Sequence, residues 1–315
     1  AFITPVTSCG LDSTTIKVKI FNYGNKSQVN FPIRYRIDAG SIVSATITDT
    51  IKPGKEVQYQ FAKRVALAFN TTYKITGWTD LSNEKYRKND TTKTTFTNYS
   101  VPDTVKSMVP ANNTSGLDYP ISLSWLPASG ATKYDLYYWK SSGSKPSSPN
   151  VSNITQISYQ ITSGLSYGET YYWQIVSRNP VCNTPGLVKA FSMRYLPDLV
   201  VSEVNAPSSA FSGTNISVSW KIKNNGTGSS SGTWYDALFL SADKVFDVTD
   251  RYLTAVTNPS SLTGSQTYSQ SANVTLPNGI TGNYYVFVVS DYYNHLTEVD
   301  NDNNSGRDTG KMVVS

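Results

Sequence analysis

The stretch Leu165-Ser166-Tyr167-Gly168-Glu169-Thr170-Tyr171-Tyr172-Trp173-Gln174-Ile175-Val176-Ser177-Arg178-Asn179 constrains the fold of this chain more than any other passage. A glycine-bearing turn feeds a run with two aromatic-rich faces. Successive side chains of a strand point to opposite sides of its sheet, so Tyr171, Trp173 and Ile175 share one face and Tyr172 takes the other. This is the pattern of a corner and following strand in a β-sandwich.

The same alternation recurs along the chain. In the first hundred residues, Ile16-Lys17-Val18-Lys19-Ile20 stops at Asn22-Tyr23-Gly24, where Asn and Gly tolerate the positive φ of a tight turn. Further strands are predicted over 31–37, 42–47, 57–61, 73–78 and 91–96, with a Pro53-Gly54 turn before the third. No segment keeps a helical period. The excess of Tyr, Thr, Ser and Asn also favours strands and turns, so an all-β chain is expected.

The last third repeats the order of the first. Ile216-Ser217-Val218-Ser219-Trp220-Lys221-Ile222 runs into Asn224-Asn225-Gly226, and 284–289 ends at Ser290-Asp291 as 73–78 ends at Thr79-Asp80. Glu84 stands five residues before Asn89-Asp90, as Glu298 does before Asn303-Asn304. Two copies of one fold therefore bracket a different middle one. At 315 residues the expected organisation is three tandem immunoglobulin-like antiparallel sandwiches in an elongated array, over 1–102, 103–196 and 197–315.

The third segment resembles the CARDB family, the cell-adhesion-related domain of bacteria and archaea. The matching residues are Pro197-Asp198-Leu199-Val200-Val201, Val218-Ser219-Trp220 before Asn224-Asn225-Gly226, Leu240-Ser241-Ala242-Asp243 with Phe246-Asp247 and Asp250, Leu276-Pro277, and Asp291 with Glu298 and Asn303-Asn304. The first segment is a more distant cousin that lacks the Leu-Ser-x-Asp stretch and a clear first strand. The middle segment resembles fibronectin type III through Trp125, Tyr134 and the Leu165, Gly168 and Tyr171 corner. Both resemblances imply seven-stranded sandwiches that serve as extracellular spacers or adhesion units.

Composition excludes several other roles. The net charge of +5 comes from scattered Lys and Arg, which argues against nucleic-acid binding. Residues 1–100 carry 14 basic and 7 acidic side chains, residues 101–196 carry 7 and 4, and residues 197–315 carry 6 and 11. The chain is electrically polar from end to end, but salt screens charges beyond about 10 Å. No apolar run is long enough for a membrane helix, and the chain starts at Ala1, so it reads as a piece of a larger exported polypeptide. Cys9 and Cys182 fall in different expected modules, so two unpaired thiols, or thiols whose partners lie outside this piece, are expected; a Cys9–Cys182 bridge is the alternative and would need the modules to fold back on each other.

His295 is the only imidazole and sits among Tyr292, Tyr293, Asn294 and Leu296 in a predicted surface loop, so neither a hydrolytic triad nor a histidine metal site is expected. The candidate carboxylates lie in turns, and the chain is read as non-catalytic. Asp243, Asp247 and Asp250 offer oxygens that suit turn capping or, in the alternative, a structural Ca²⁺ ion, with Asp291 and the 298–302 stretch as a second source. No other cofactor is expected.

The middle segment offers a second candidate. Tyr134, Leu136 and Tyr138 are expected inward with Tyr171, Trp173 and Ile175, which leaves Tyr137, Trp139 and Tyr172 outside as an aromatic platform for a sugar face or a neighbouring protein. Sequons at Asn70, Asn98, Asn153 and Asn273 arise easily in so Asn- and Thr-rich a chain, whereas Asp12-Ser13-Thr14, Asp49-Thr50-Ile51, Asp90-Thr91-Thr92 and Asp103-Thr104-Val105 look like bacterial O-glycan acceptors. The expected partners are a protein or glycan at the bacterial cell surface and neighbouring domains of a larger chain. An adhesion or stalk segment is the leading reading; an accessory region of a secreted enzyme and a self-assembling surface-layer subunit are the alternatives.

Overall fold

The structure is a computed structural model and describes residues 1–82, 84 and 86–315. Strands run as β1 Phe2–Thr4, β2 Ser8–Cys9, β3 Ser13–Phe21, β4 Phe31–Ile37, β5 Val43–Ile47, β6 Glu56–Ala66, β7 Thr71–Thr79 and β8 Thr91–Tyr99. They continue as β9 Thr114–Leu117, β10 Ile121–Ser124, β11 Lys133–Lys140, β12 Val151–Ile154, β13 Ser158–Ile161, β14 Thr170–Arg178, β15 Asn183–Pro185 and β16 Lys189–Met193. The remainder is β17 Leu199–Asn205, β18 Ser209–Ala210, β19 Asn215–Asn224, β20 Tyr235–Ser241, β21 Arg251–Thr257, β22 Thr267–Thr275, β23 Gly282–Val289, β24 Ser305–Arg307 and β25 Met312–Val314. The only helix among the described residues is a single 3₁₀ turn, Arg87–Asn89, so the all-β expectation holds.

The chain forms two compact units. One comprises Ala1–Asn112, Ser122–Ile161 and Tyr171–Ala190, and the other Asn113–Ile121, Thr162–Thr170 and Phe191–Ser315.

In the first unit, a three-stranded sheet β1-β3-β6 faces a five-stranded sheet β2-β8-β7-β4-β5. Alternation fills the space between them: Ile16 and Val18 of β3, Phe31, Ile33 and Tyr35 of β4, Phe61 of β6, Ile75 of β7 and Phe96 of β8 are buried together. Lys17 and Lys19 leave by the other face of β3, where Lys19 pairs with Glu56 at 3.0 Å. A short first strand, β1, is present after all and pairs with β3 at Phe2 and Val18. Strand β3 ends at Asn22, whose Nδ2 donates to the carbonyls of Lys26 and Ile51, each at 2.8 Å, while its Oδ1 accepts from the amide of Gly24 at 2.9 Å. One side chain thus closes the turn and ties it to the facing loop.

The same unit holds the antiparallel ladder of β11 with β14, in register from Lys133 with Arg178 to Lys140 with Tyr171, flanked by β12 and β15. Tyr134, Leu136, Tyr171, Trp173 and Ile175 are buried as alternation demands, and Tyr138 is half-buried near the end of its strand.

The unpaired-thiol expectation is wrong. Cys9 and Cys182 form a disulfide across 173 residues, with Cα atoms 6.5 Å apart. No folding back of distant modules is required, because the connecting segment Ser100–Asp103 is gripped from both sides. Asn179 Nδ2 donates to the Ser100 carbonyl at 2.8 Å, the Asp103 amide donates to Ser129 O at 2.8 Å, and Ser177 Oγ donates to the Asp103 carbonyl at 2.6 Å. Two glycines let backbone approach it: a Cβ on Gly10 would sit 2.8 Å from Val101, and one on Gly130 would sit 2.6 Å from Ser100 Oγ, both at positive φ. These contacts set β2 beside the turn that joins β14 to β15.

In the second unit, β17-β19-β22 faces β18-β25-β23-β20-β21, with β24 beside β23. Ile216, Val218, Trp220 and Ile222 of β19 alternate into a core with Leu199, Leu238, Leu240, Val286 and Val288. Asn224 repeats the arrangement at Asn22: its Nδ2 donates to Gly228 O and Leu262 O at 2.7 and 3.1 Å, and Gly226 N donates to its Oδ1 at 3.0 Å. The Leu165 corner belongs to this unit, where the Tyr119 hydroxyl donates to the Leu165 carbonyl at 2.7 Å and Gly168 takes φ of +73°.

Closing so long a loop removes chain entropy from the unfolded state, worth on the order of 4–5 kcal/mol in the loop-closure picture. Reductant should therefore lower the melting temperature of the first unit, and Cys182→Ser should lower it to the same value and no longer respond to reductant. Equal melting of oxidised and reduced wild type would contradict this.

Candidate functional site

Strands β11 and β14 set the outward aromatics. Trp139 lies directly opposite Tyr172 in the ladder, their rings 5.8 Å apart and tilted, and Tyr172 is 37% exposed. Tyr137 faces Gln174 instead. Its ring is capped by Lys145, whose Nζ sits 4.0 Å from the centroid and donates to Gln174 Oε1 at 2.5 Å. Gln174 is held in turn by donating to Gly186 O at 2.6 Å. Partial burial holds the Lys145 ammonium below the usual lysine range. The three rings are brought to one face as expected, but only Trp139 and Tyr172 form an adjacent pair, while Tyr137 receives a cation.

The three acids of the β20–β21 connection are each engaged by local donors. Asp243 Oδ1 accepts from Val245 N at 2.8 Å, Asp247 Oδ1 from Thr249 N and Oγ1 at 2.7 and 2.6 Å, and Asp250 Oδ2 from Asp247 N at 3.0 Å. The hydroxyl of Thr249, then its amide, draws the Asp247 carboxyl below the usual range. Among the described residues no group of three or more His, Cys, Asp or Glu side chains is arranged to hold a metal. Asp291, the suggested second source, is buried at φ of +46° and caps the following turn by accepting from His295 N and Leu296 N at 2.9 and 2.8 Å. His295 is exposed.

Sequence reasoning missed two features of the second unit. One is a run of rings on its outer face: Phe239 packs within 5.6 Å of Phe246, Tyr252 and Tyr292, and Tyr293 stacks at 5.9 Å on His295. Alternation along β20 marks Ala237 and Phe239 as the face opposite Leu238 and Leu240, but the covering rings come from two loops and the neighbouring strand β21. The other is a set of buried acids. Asp236 is fully buried, and its Oδ2 accepts from Trp220 Nε1 and from the Tyr268 hydroxyl, both at 2.7 Å. Burial outweighs these bonds and pushes its carboxyl up to about 6. Glu298 Oε2 accepts from Leu199 N at 2.5 Å and Oε1 from Asn304 Nδ2 at 3.1 Å, and burial pushes it up to about 7. Burial also pushes the Tyr268 hydroxyl up.

Residues 196–307 match the CARDB family model, well under half of the chain. Among solved structures, the chain is similar to the CARDB domain of a Pyrococcus furiosus protein in complex with di-metal ions, at 19% identity over 38% of this chain and 90% of that one, with a TM-score of 0.29. It is also similar to the FN1–FN3 domains of chicken CNTN1, at 11% identity over 91% of this chain and 94% of that one, with a TM-score of 0.27. A β-glucosidase from Listeria innocua in complex with glucose is similar at 13% identity over 38% of this chain and 16% of that one, with a TM-score of 0.26. No curated protein matches. The class is thus an all-β chain of packed β-sheets, and the segment from 196 to 307 carries the CARDB match. A disulfide fits an extracellular setting. No helix among the described residues is long and apolar enough to cross a membrane.

The buried acids fix the sign of the pH response. Their folded-state values lie above the unfolded ones, so the folded protein binds more protons and stability falls as pH rises from about 4 to about 7. Asp236→Asn and Glu298→Gln together should flatten that fall in melting temperature of the second unit. Stability rising over the same window would contradict it.

Proposed function

We propose that this chain is a non-catalytic adhesion or stalk segment of a larger bacterial cell-surface protein, with sandwich modules over 1–102, 103–196 and 197–315. The observation that carries this reading is the grip on Ser100–Asp103, closed covalently by Cys9 and Cys182. A spacer must keep successive modules in fixed order under tension. A linker hydrogen-bonded on both sides and bridged by a disulfide supports that task, and an oxidising extracellular compartment would preserve the bridge.

Asp243, Asp247 and Asp250 act in this reading as turn caps, with Ca²⁺ not required. Added Ca²⁺ or chelator should leave the melting temperature unchanged, and a Ca²⁺-dependent rise abolished by Asp247→Ala would convert these acids into metal ligands.

Stretching single molecules from their two ends tests the stalk role. In the oxidised chain the residues between Cys9 and Cys182 should stay out of the extension, and reductant should release roughly 600 Å of extra contour, at about 3.5 Å per residue for a separation of 173. Extension of the whole chain at low force without discrete unfolding steps would remove the stalk reading.

The outward pair of half-buried Trp139 and exposed Tyr172 favours a second reading, an accessory region that stacks sugar faces for a secreted enzyme. Glycan-array binding lost in the Trp139→Ala and Tyr172→Ala double variant would favour it over the spacer role; an unresponsive array would not.

A further inference from the structure

Between β5 and β6, the last strands of the two facing sheets of the first unit, lies a cavity of about 270 Å³. Tyr35 and Ile37 of β4, Val43 of β5 and Val65 of β6 give it an apolar wall, Lys63 of β6 brings a cation, and the β4–β5 turn contributes Gly40 and Ser41. The volume falls just under that of drug-sized pockets, about 300–1,000 Å³, and suits a small molecule. Two departures of the first unit from the second meet here.

The first departure is a polar atom in the core. Thr79 N donates to Asp90 O as Ser290 N donates to Asn304 O, and two residues earlier Gly77 pairs with Tyr35 as Val288 pairs with Leu238. Tyr35 therefore takes the position of Leu238. Its ring packs edge-on against Phe61 at 4.6 Å, the residue is 1% exposed, and its hydroxyl is buried with no hydrogen-bond partner among the described residues. A buried unpaired hydroxyl costs about 1–3 kcal/mol, so the first unit gains no stability from it where the second has an aliphatic side chain. Such a group calls for a partner from outside the fold.

The second departure is in the backbone. Strand β3 pairs with β6 from Ser13 opposite Ala66 to Thr15 opposite Arg64 and resumes at Lys17 opposite Gln60, so Phe61, Ala62 and Lys63 all oppose Ile16. The equivalent ladder of β19 with β22 runs unbroken. Bulges re-aim side chains and are over-represented next to active sites. Beyond this one, Val65 packs on the core and Arg64 turns the other way, where its Nε and Nη2 donate to Ser13 Oγ at 3.0 and 2.8 Å. Lys63 is left as the cation of the cavity, with no acidic partner among the described residues.

We propose that this cavity is a binding site for a small organic carboxylate with an apolar body. One carboxylate oxygen accepts from the Tyr35 hydroxyl, the other pairs with the Lys63 ammonium, and the body lies against Ile37, Val43 and Val65. One cation meets one negative charge. Burial pushes the Tyr35 hydroxyl above its usual range, so it stays protonated and donates. A phosphate or sulfate ester presents three terminal oxygens, and the aliphatic wall would leave the third unpaired. The site goes beyond the stalk reading and stands without it.

The test titrates the full oxidised chain with benzoate and follows the melting temperature of the first unit and the ring proton signals of Tyr35. Saturable binding that raises the one and shifts the other is the expected result. Acetate, which lacks the body, and benzyl alcohol, which lacks the charge, should each bind at least about tenfold more weakly. Tyr35→Phe should melt at or above the wild type and bind benzoate about tenfold more weakly, the loss of one hydrogen bond to a charged group. Lys63→Met should weaken binding to a similar degree. Absence of saturable binding, benzyl alcohol bound as well as benzoate, or full affinity in Tyr35→Phe, the sign of a hydroxyl met by water alone, would each overturn the site. Benzenesulfonate bound more tightly than benzoate would overturn the choice of a carboxylate.

Discussion

Each terminal sandwich depends on one side-chain amide. Asn22 and Asn224 sit where a core strand leaves the sheet, and each spends both donors on carbonyls from two different loops while its oxygen accepts from the following glycine. A hydrophobic residue there would remove these bonds, at about 0.5–1.5 kcal/mol each, although Ile51 O and Leu262 O would keep their bonds from Gln28 N and Ser230 N. Because the amide sets where β3 and β19 end, it also sets which backbone groups of those strands point inward to their own sheet and which point to the edge. The packing of Ile16 and Val18, or of Val218 and Trp220, follows from that register.

The two copies diverge in what they place opposite the clip. In the second unit Leu199 and Glu298 close the end of the sandwich, and the unit accepts a buried carboxylate to hold the entering strand. Trp220, Tyr268 and Asp236 form a further polar set inside the same core. Polar groups of this kind weaken a core unless each is satisfied, so their presence ties the stability of the unit to pH. The first unit carries Asp90 where the second has Asn304, since Thr79 N donates to Asp90 O as Ser290 N does to Asn304 O, and a carboxylate cannot donate to Glu84 as Asn304 does to Glu298. The first unit adds the Cys9–Cys182 bridge and the gripped linker to its apolar core.

Much of this was legible in the sequence because strand formation is written in period-two alternation. The strand over 31–37 has the same bounds in the structure, and the inward set Tyr134, Leu136, Tyr171, Trp173 and Ile175 is buried. The echo between the Asn-Tyr-Gly and Asn-Asn-Gly turns marks structurally equivalent residues. What escaped reading depends on meetings between residues far apart in the chain. Nothing local to Cys9 or Cys182 reveals that a short linker will bring them together. Likewise Lys145 sits five residues beyond the end of β11 and returns over Tyr137, so alternation alone overstates how open that ring is. The rings around Phe239 come from three separate segments for the same reason.

The melting of Asn22→Leu and Asn224→Leu variants tests the central claim most directly, that one buried side-chain amide closes the end of each terminal sandwich. Each variant loses three hydrogen bonds at about 0.5–1.5 kcal/mol apiece and should lower the melting temperature of its own unit while leaving the other unit unchanged. Unaltered melting of both variants would contradict the claim.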